Sequence, residues 1–227
     1  MENKVSENVA KKSNNITELV FILDRSGSMS GMEEDTIGGF NSMIEKQKKE
    51  DGIVYVSTVL FSNTSKVLHD RVDINDINPI TEEDYQVNGS TALLDAIGRA
   101  IHHIGNVHKY ARKEDVPSKT IFLITTDGME NASREYSSRR VKEMIKRQEE
   151  KYGWEFFFVA ANIDAVETAE NIGIRRERAS NYNVEEGTRV MYCEMSESIS
   201  DYRKTGKVRD NWNEKIEATV KGNKKKN

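Results

Sequence analysis

The chain has 227 residues, 32% of them charged, and its 38 acidic and 34 basic side chains give a formal net charge of −4. This nearly balanced charge argues against a nucleic-acid-binding protein with a broad basic surface. The single cysteine, Cys193, excludes an intrachain disulfide and a metal site built from several thiolates. No apolar run approaches the ~20 residues of a membrane span, and residues 1–15 lack the apolar core of a signal peptide. We therefore expect a cytoplasmic protein that does not bind membranes.

The spacing of apolar residues alternates along the chain between that of a strand and that of a helix. Residues 19–23 form a continuous apolar run, which is typical of a strand covered on both faces. Residues 32–49 have apolar side chains at helical spacing, and residues 53–61 and 66–72 have the composition of a strand hairpin. The pattern then predicts a helix over 93–104, a strand over 120–125, a weaker helix over 137–151, a strand over 156–161, a short helix over 164–172, a short edge strand over 179–183 and a last helix over 191–202.

This alternation of strands and helices predicts an α/β fold. We expect a Rossmann-like, doubly wound, mostly parallel central sheet with helices on both faces and one antiparallel edge strand near residues 66–72. The length suits one such domain with a substantial core. We assign residues 1–15 to a loose N-terminal segment, 16–205 to the domain, and 206–227 to a C-terminal extension with a basic, disordered end.

Oxygen-bearing side chains occur in three segments that this fold brings to one edge of the sheet. Asp24, Ser26 and Ser28 directly follow the first strand, Asp127 follows the strand over 120–125, and Thr91 precedes the helix that starts near 93. In open parallel sheets, ligands bind beyond the carboxyl ends of the strands, where the strand order reverses. Two carboxylates and three hydroxyls are hard oxygen donors, which suit a small divalent cation. A site with so few charges leaves the ion able to accept a carboxylate from a partner.

The motif DxSxS, formed by Asp24, Ser26 and Ser28, together with Thr91 and Asp127, resembles the metal-ion-dependent adhesion site of von Willebrand factor A (VWA) domains. The resemblance covers about residues 16–203 and implies a metal ion on the upper rim of the sheet. It implies that Ser26 and Ser28 ligate the ion directly, as does Thr91 in the ligand-ready state. Asp24 and Asp127 would act through water molecules or hydrogen bonds. The chain is similar to small intracellular bacterial and phage members, which implies non-catalytic binding of a partner within a multi-protein assembly.

The expected ion is Mg²⁺, and Mn²⁺ fits equally well, because a compact cage of hydroxyls with few charges suits Ca²⁺ less. The expected partner is a protein that presents a Glu or Asp to the ion. Residues beside the ligands, or at the end of the next strand, would form the rim that contacts this partner. These predicted rim residues are Met29, Ser90, Gly128, Glu130, Asn131, Asn162 and Asp164.

Ordinary structural roles compete with several of these assignments. Residues 26–28 also suit a turn between a strand and a helix, and Thr91 also suits a helix N-cap. Asn162 and Asp164 fit a plain loop equally well. Asp95, one turn after Thr91, could influence the metal site without ligating the ion, or it could simply place a favourable negative charge near the N-terminus of its helix. We favour the second interpretation.

Two other functional classes stay open at this level. The first is a metal-dependent phosphatase or phosphotransferase, because an aspartate at a strand end with Mg²⁺ also serves phosphoryl chemistry. Against it, Ser26 stands where a DxD motif would have its second acid, and the motifs GxxxxGK[ST], GxGxxG and GxSxG are absent. The second class is a structural module with a vestigial metal site. We expect a binding module and not an enzyme.

Overall fold

The computed structural model describes residues 15–223. The loose segment predicted over 1–15, apart from residue 15, and the last four residues of the chain lie outside the described residues. Within them, six strands form one sheet in the order β3-β2-β1-β4-β5-β6. The strands are β1 (Ile16–Asp24), β2 (Ile53–Phe61), β3 (Ser65–Asp73), β4 (Lys119–Thr126), β5 (Glu155–Ala160) and β6 (Ala179–Asn181).

Helices follow most of the strands and cover both faces of the sheet. Between residues 15 and 223 the α-helices are α1 (Glu33–Lys48), α2 (Leu93–Tyr110), α3 (Ser138–Tyr152), α4 (Ala165–Ile172), α5 (Val184–Thr205) and α6 (Glu214–Asn223). A short 3₁₀ helix, Gly27–Met29, joins β1 to the segment before α1. None of the helices in this part of the chain is both long and apolar enough to cross a membrane.

The sheet has the predicted doubly wound topology. Its pairs β1–β2, β1–β4, β4–β5 and β5–β6 are parallel, whereas β3 pairs with β2 in the antiparallel direction and forms an edge. From β1 the chain winds outward through β2 to β3, and from β4 it winds the other way through β5 to β6. The strand order therefore reverses between β1 and β4. Leu23 of β1 lies opposite Thr125 of β4, so both strands end at the same level and their loops face the same rim.

The core has two layers, one on each face of the sheet, which explains the continuous apolar run of β1. Leu19, Phe21 and Leu23 point to the layer that contains side chains of α1 and α5. Val20 and Ile22 point to the layer covered by α2, α3 and α4. Because successive side chains of a strand alternate between faces, a strand buried on both sides favours apolar residues at consecutive positions, as in residues 19–23.

The C-terminal extension contributes to this core, which the sequence analysis did not predict. Helix α6 contacts α5 and the edge strand β6, so α5 is not the last helix. Trp212, just before α6, is 1% exposed, and Ile216 within it is fully buried. Trp212, Ile216 and Val220 recur every fourth residue, a helical spacing that was readable in the sequence.

A buried polar network fixes α5 against the end of α1. The Nε2 atom of Gln47 donates hydrogen bonds to the carbonyl of Ser196 and to Oγ of Ser200, both at 2.9 Å. The guanidinium of Arg203, 5% exposed, donates to the carbonyl and Oε1 of Gln47 at 2.9 and 2.8 Å, and to the carbonyl of Asp51 at 3.0 Å. These directional bonds set the register between the two helices.

Candidate metal centre

The five predicted ligands lie together on the rim where the strand order reverses. Asp24 is the last residue of β1, Asp127 follows β4, and Thr91 lies just before α2. Ser26 and Ser28 lie between β1 and α1, Ser28 within the short 3₁₀ helix. Three segments that are far apart in the sequence therefore supply the oxygens of one cluster, at the place where open α/β sheets bind ligands.

Asp24 forms the floor of this cluster, and its carboxylate is held in one orientation. The residue is completely buried, its Oδ1 accepts a 2.7 Å hydrogen bond from the backbone N–H of Ser26, and its Oδ2 accepts a 2.5 Å bond from Oγ1 of Thr126. The Tyr85 hydroxyl donates to the backbone carbonyl of Asp24. Sequence reasoning missed Thr126 and Tyr85. Thr126 was detectable as the hydroxyl next to Asp127, but nothing in the sequence places Tyr85 beneath β1.

The hydroxyls of the cluster form a chain that leads to the second carboxylate. Oγ of Ser26 lies 3.1 Å from Oγ of Ser28, which donates a 2.5 Å hydrogen bond to Oδ1 of Asp127. Gly128 lies close to both Ser28, in this chain of hydroxyls, and Thr91. A Cβ atom added to Gly128 would lie 3.1 Å from Oγ of Ser28 and 3.5 Å from Oγ1 of Thr91. The missing side chain thus leaves the space between the two hydroxyls open.

Backbone hydrogen bonds fasten the loops that carry these hydroxyls. The N–H of Gly27 donates to the carbonyl of Gly89 at 2.9 Å, and the N–H of Asn88 donates to the carbonyl of Arg25 at 2.9 Å. Gly89 has φ +74°, and a Cβ atom there would come within 2.3 Å of Oδ1 of Asn63. A glycine is therefore required at position 89 to bring the segment before α2 against the segment after β1.

The loop after β4 is tied to the N-terminal end of α2 by two carboxylates. Glu130 accepts hydrogen bonds from the backbone N–H groups of Leu94, Ala132 and Ser133 and from the Ser133 hydroxyl, at 2.8 to 2.9 Å. Asp95 accepts three 2.9 Å bonds from the backbone N–H groups of residues 134–136. Burial raises the pKa of Asp95, but these donors outweigh it and the net pKa is lowered. Asp95 therefore holds the loop in place, a role that the sequence analysis did not consider.

Two of the predicted rim residues have other tasks. Met29 is only 2% exposed and packs in the core, because the short 3₁₀ helix turns its side chain inward, so it does not fit the predicted contact with a partner. The Glu130 carboxylate is fully engaged by the bonds above, so it also does not fit that role. Met129, which the sequence analysis did not select, is 71% exposed beside Gly128. An apolar residue directly after the Asp-Gly turn was the available signal for it.

The other predicted rim residues divide into two groups. Ser90 and Asn131 adjoin Thr91: Ser90 is its exposed neighbour in sequence, and Oδ1 of Asn131 accepts a 2.9 Å hydrogen bond from the Thr91 N–H. Asn162 and Asp164 follow β5, one strand further from the point where the order reverses. Asp164 caps α4 by accepting a 2.9 Å bond from the backbone N–H of residue 167, which explains an aspartate at that position.

Burial dominates the electrostatics of the two carboxylates. It raises the pKa of Asp24, against the hydrogen bonds from Thr126 and Ser26, and the nearby charge of Asp127 raises it further. Burial also raises the pKa of Asp127, against the hydrogen bond from Ser28. Within residues 15–223 neither carboxylate has an ion-pair partner. A bound cation would supply the missing positive charge.

The donor set fits a hard divalent ion and excludes a softer site. No group of three or more His, Cys, Asp and Glu side chains suitable for a metal occurs in the described part of the chain. A metal at this rim would therefore depend on the hydroxyls of Ser26, Ser28 and Thr91, supplemented by two carboxylates and water. Oxygen-only coordination that retains water suits Mg²⁺ or Mn²⁺, whereas zinc takes nitrogen and sulfur ligands.

Comparison with known proteins identifies the fold. No family model and no curated protein matches the sequence. Among solved structures, manganese-loaded TRAP protein of Plasmodium vivax matches with a TM-score of 0.52 and 16% identity over 79% of this chain and 73% of that one. Proximal thread matrix protein 1 from the mussel byssus matches with a TM-score of 0.54 and 11% identity over 83% of this chain. A von Willebrand factor type A protein from Catenulispora acidiphila matches with a TM-score of 0.51 and 12% identity over 82%.

The chain spans 47% of the mussel protein and 42% of the Catenulispora protein, so these relatives contain substantially more than the shared domain. At these identities the likeness concerns the fold alone. The six-stranded, mostly parallel sheet with one antiparallel edge has the VWA fold that the motif predicted.

Proposed function

We propose that this chain is a divalent-metal-dependent protein-binding module. Ser26, Ser28 and Thr91 would hold Mg²⁺ or Mn²⁺ directly, and Asp24 and Asp127 would hold it through water. A Glu or Asp of a partner protein would complete the coordination. The observation that carries the proposal is the convergence of three hydroxyls and two carboxylates from three segments around the open space at Gly128. A structural neighbour described as manganese-loaded supports a divalent ion in this fold.

The surroundings of the cluster favour binding over catalysis. Both oxygens of the Asp24 carboxylate accept hydrogen bonds, so Asp24 is poorly placed to move a proton, and Ser28 donates to Oδ1 of Asp127. Histidine, the commonest proton carrier, is placed elsewhere: His69 contacts Thr58 within the sheet, and other histidines lie along α2. We accordingly propose a non-catalytic module, with a place in a cytoplasmic multi-protein assembly as the motif resemblance implies.

The rim around the ion suits contact with a protein surface. Ser90 and Asn131 are exposed beside Thr91, and Met129 adds a large apolar side chain that solvent reaches. The loop that carries Met129 and Asn131 is fixed by the bonds of Glu130 and Asp95, so binding would order little additional chain. Rigid loops reduce the entropy cost of association.

Thermal unfolding with added MgCl₂, MnCl₂ or EDTA tests the metal site directly. The variant is Ser28→Ala, which removes one exposed hydroxyl of the cluster, and the matched control is Ser30→Ala, two residues away and also exposed. We expect either metal to raise the melting temperature of the wild type and of Ser30→Ala, but to raise that of Ser28→Ala much less. An equal response of all three proteins, or none in the wild type, would refute the metal site. Magnesium-dependent hydrolysis of p-nitrophenyl phosphate that is lost in Asp24→Asn would favour the enzyme instead.

A further inference from the structure

A second surface, separate from the metal centre, lies between α2 and α3. It is a groove of about 550 Å³, and its lining includes Val116, Pro117, Tyr152 and Trp154. Its walls carry Lys109 on α2 and Arg140 and Arg147 on α3. No Asp or Glu side chain lines the groove among the described residues, although the whole chain has a net charge of −4. The groove therefore carries positive charge, although the chain as a whole has a small negative net charge.

Local contacts leave these cations available to a ligand. Arg140 lies 3.8 Å from Glu143, and both side chains are more than half exposed, so this contact contributes little and breaks at little cost. Lys109 lies over the ring of its neighbour Tyr110 and 3.4 Å from the Tyr110 hydroxyl, and no ion pair of Lys109 occurs within the described residues. Hydrogen bonds from Arg147 and Lys151 lower the pKa of the Tyr152 phenol, which indicates positive potential at this end of the groove.

The cations are arranged in rows that follow the two helices. Arg140 and Arg147 are seven residues apart, which places them on one face of α3 about 10 Å from each other along the axis. On α2, Lys109 lines the groove seven residues after the imidazole of His102. Basic groups spread over this length match several carboxylates on an extended surface better than they match one phosphate group.

The floor between the rows is apolar and rigid. Met144 and the buried Trp154 line it, and the Trp154 ring stacks on Phe122 with centroids 5.3 Å apart. His108 packs edge-on against Trp154, and its Nε2 lies 3.3 Å from the buried carboxylate of Glu18. Gly105, on the wall of α2, has no side chain, and Nε2 of Gln148 lies 3.6 Å from where its Cβ would stand.

We propose that this groove binds an acidic amphipathic helix of a partner protein. The apolar ridge of that helix would pack on Met144, above the buried Trp154, and its carboxylates would pair with Arg140, Arg147 and Lys109. A groove between two helices, with an apolar floor and charged edges, has the form that receives amphipathic helices in other complexes. The ends of this chain outside the described residues carry six lysines and two glutamates, so they have the wrong charge to fill it.

Fluorescence anisotropy with two labelled synthetic peptides tests this assignment. One peptide has leucines at positions i, i+3, i+4 and i+7 with glutamates at the flanking positions, and the other has the same composition in scrambled order. EDTA is present throughout, so that no peptide carboxylate binds a metal at the other site. We expect the wild type to bind the amphipathic peptide at least about tenfold more tightly than the scrambled one, which corresponds to about 1.4 kcal/mol.

The test variant is Arg147→Glu and the matched control is Arg139→Glu. Arg139 lies on the same helix with its side chain 90% exposed and outside the groove. We expect Arg147→Glu to weaken binding of the amphipathic peptide at least about tenfold and Arg139→Glu to leave it within about twofold. Circular dichroism checks that each variant is folded, which we expect because both side chains are exposed.

Four outcomes would overturn the proposal. Equal binding of both peptides would show an unspecific charge effect, and unchanged binding by Arg147→Glu would place the peptide elsewhere. Displacement of the peptide by millimolar inorganic phosphate would show a site for a single anion. Tighter binding of a single-stranded oligonucleotide that Arg147→Glu abolishes would make the groove a nucleic-acid surface instead.

Discussion

The substitution Gly128→Ala tests whether the space between the hydroxyls holds an ion. The added methyl group would lie 3.1 Å from Oγ of Ser28 and 3.5 Å from Oγ1 of Thr91. Gly128 does not have a positive φ, so alanine fits its backbone. The exposed Ser28 side chain needs to move only slightly, and we expect the metal-free protein to lose less than about 1 kcal/mol of stability.

The effect on metal binding should be much larger than this. An ion that contacts both hydroxyls at about 2.1 Å has no room beside the new methyl group, so the variant loses one or two ligands. Two ligands at about 1.4 kcal/mol each correspond to a hundredfold weaker affinity. At a metal concentration of 100 Kd the wild type gains about 2.7 kcal/mol, and the variant at the same concentration gains about 0.4 kcal/mol. For a domain of this size these values convert to melting shifts of about 5–11 °C and about 1–2 °C.

Differential scanning fluorimetry over a MgCl₂ and MnCl₂ titration measures both shifts. Gly38→Ala is the matched control, because Gly38 is exposed within α1 and an added Cβ atom meets no atom within 4 Å. Alanine favours the helix at that position by about 0.5–1 kcal/mol, so the control should melt slightly higher with an unchanged metal shift. A full metal shift in Gly128→Ala would refute a metal held by Ser28 and Thr91.

Three further substitutions test the bonds around the site and the core. Tyr85→Phe removes the hydroxyl that donates to the Asp24 carbonyl and should lower the free energy of unfolding in urea by about 1–2 kcal/mol. Arg203→Met leaves buried carbonyls, including that of Gln47, without their donor, and should cost about 2–4 kcal/mol in the same assay; no change would show that water replaces it. Burial raises the pKa of Asp127, so protonation of its carboxyl group stabilises the folded state. This stabilisation is complete below the unfolded pKa of about 3.9 and is lost as pH rises through the folded pKa. Metal-free Asp127→Asn should therefore be more stable than the wild type at neutral pH, with a difference that closes towards pH 4; a constant difference would contradict this reasoning.

The fold was largely predictable from local spacing, because a doubly wound sheet repeats one simple pattern. The run over 19–23 predicted a strand buried on both faces, and β1 is such a strand. The hairpin predicted over 53–72 is present, with β3 as the antiparallel edge. Helix α6 was not predicted because it carries only a few apolar residues, such as the buried Ile216, among polar neighbours.

The site was predictable where the sequence order itself carries the geometry. Residues at the ends of parallel strands must share one rim, so the cluster of Asp24, Ser26, Ser28, Thr91 and Asp127 follows from the strand assignments. Side-chain direction does not follow from them. Met29 turns into the core through a single turn of 3₁₀ helix, and the carboxylate of Glu130 folds back onto the N-terminal end of α2. Both depend on contacts between distant segments, which spacing along one sequence does not encode.

The hydrogen bonds around the hydroxyls are compatible with the proposed metal binding, and they would prepare the site for it. A hydroxyl has one proton and two lone pairs, so Ser28 can donate its proton to Asp127 and still offer a lone pair to an ion. That bond also fixes the direction of the lone pair. Asp24, whose oxygens are held by Ser26 and Thr126, is likewise oriented before any ion arrives. If the proposed function holds, the protein would have little to rearrange on metal binding, and the energy of the ion's contacts would remain available for holding the carboxylate of a partner.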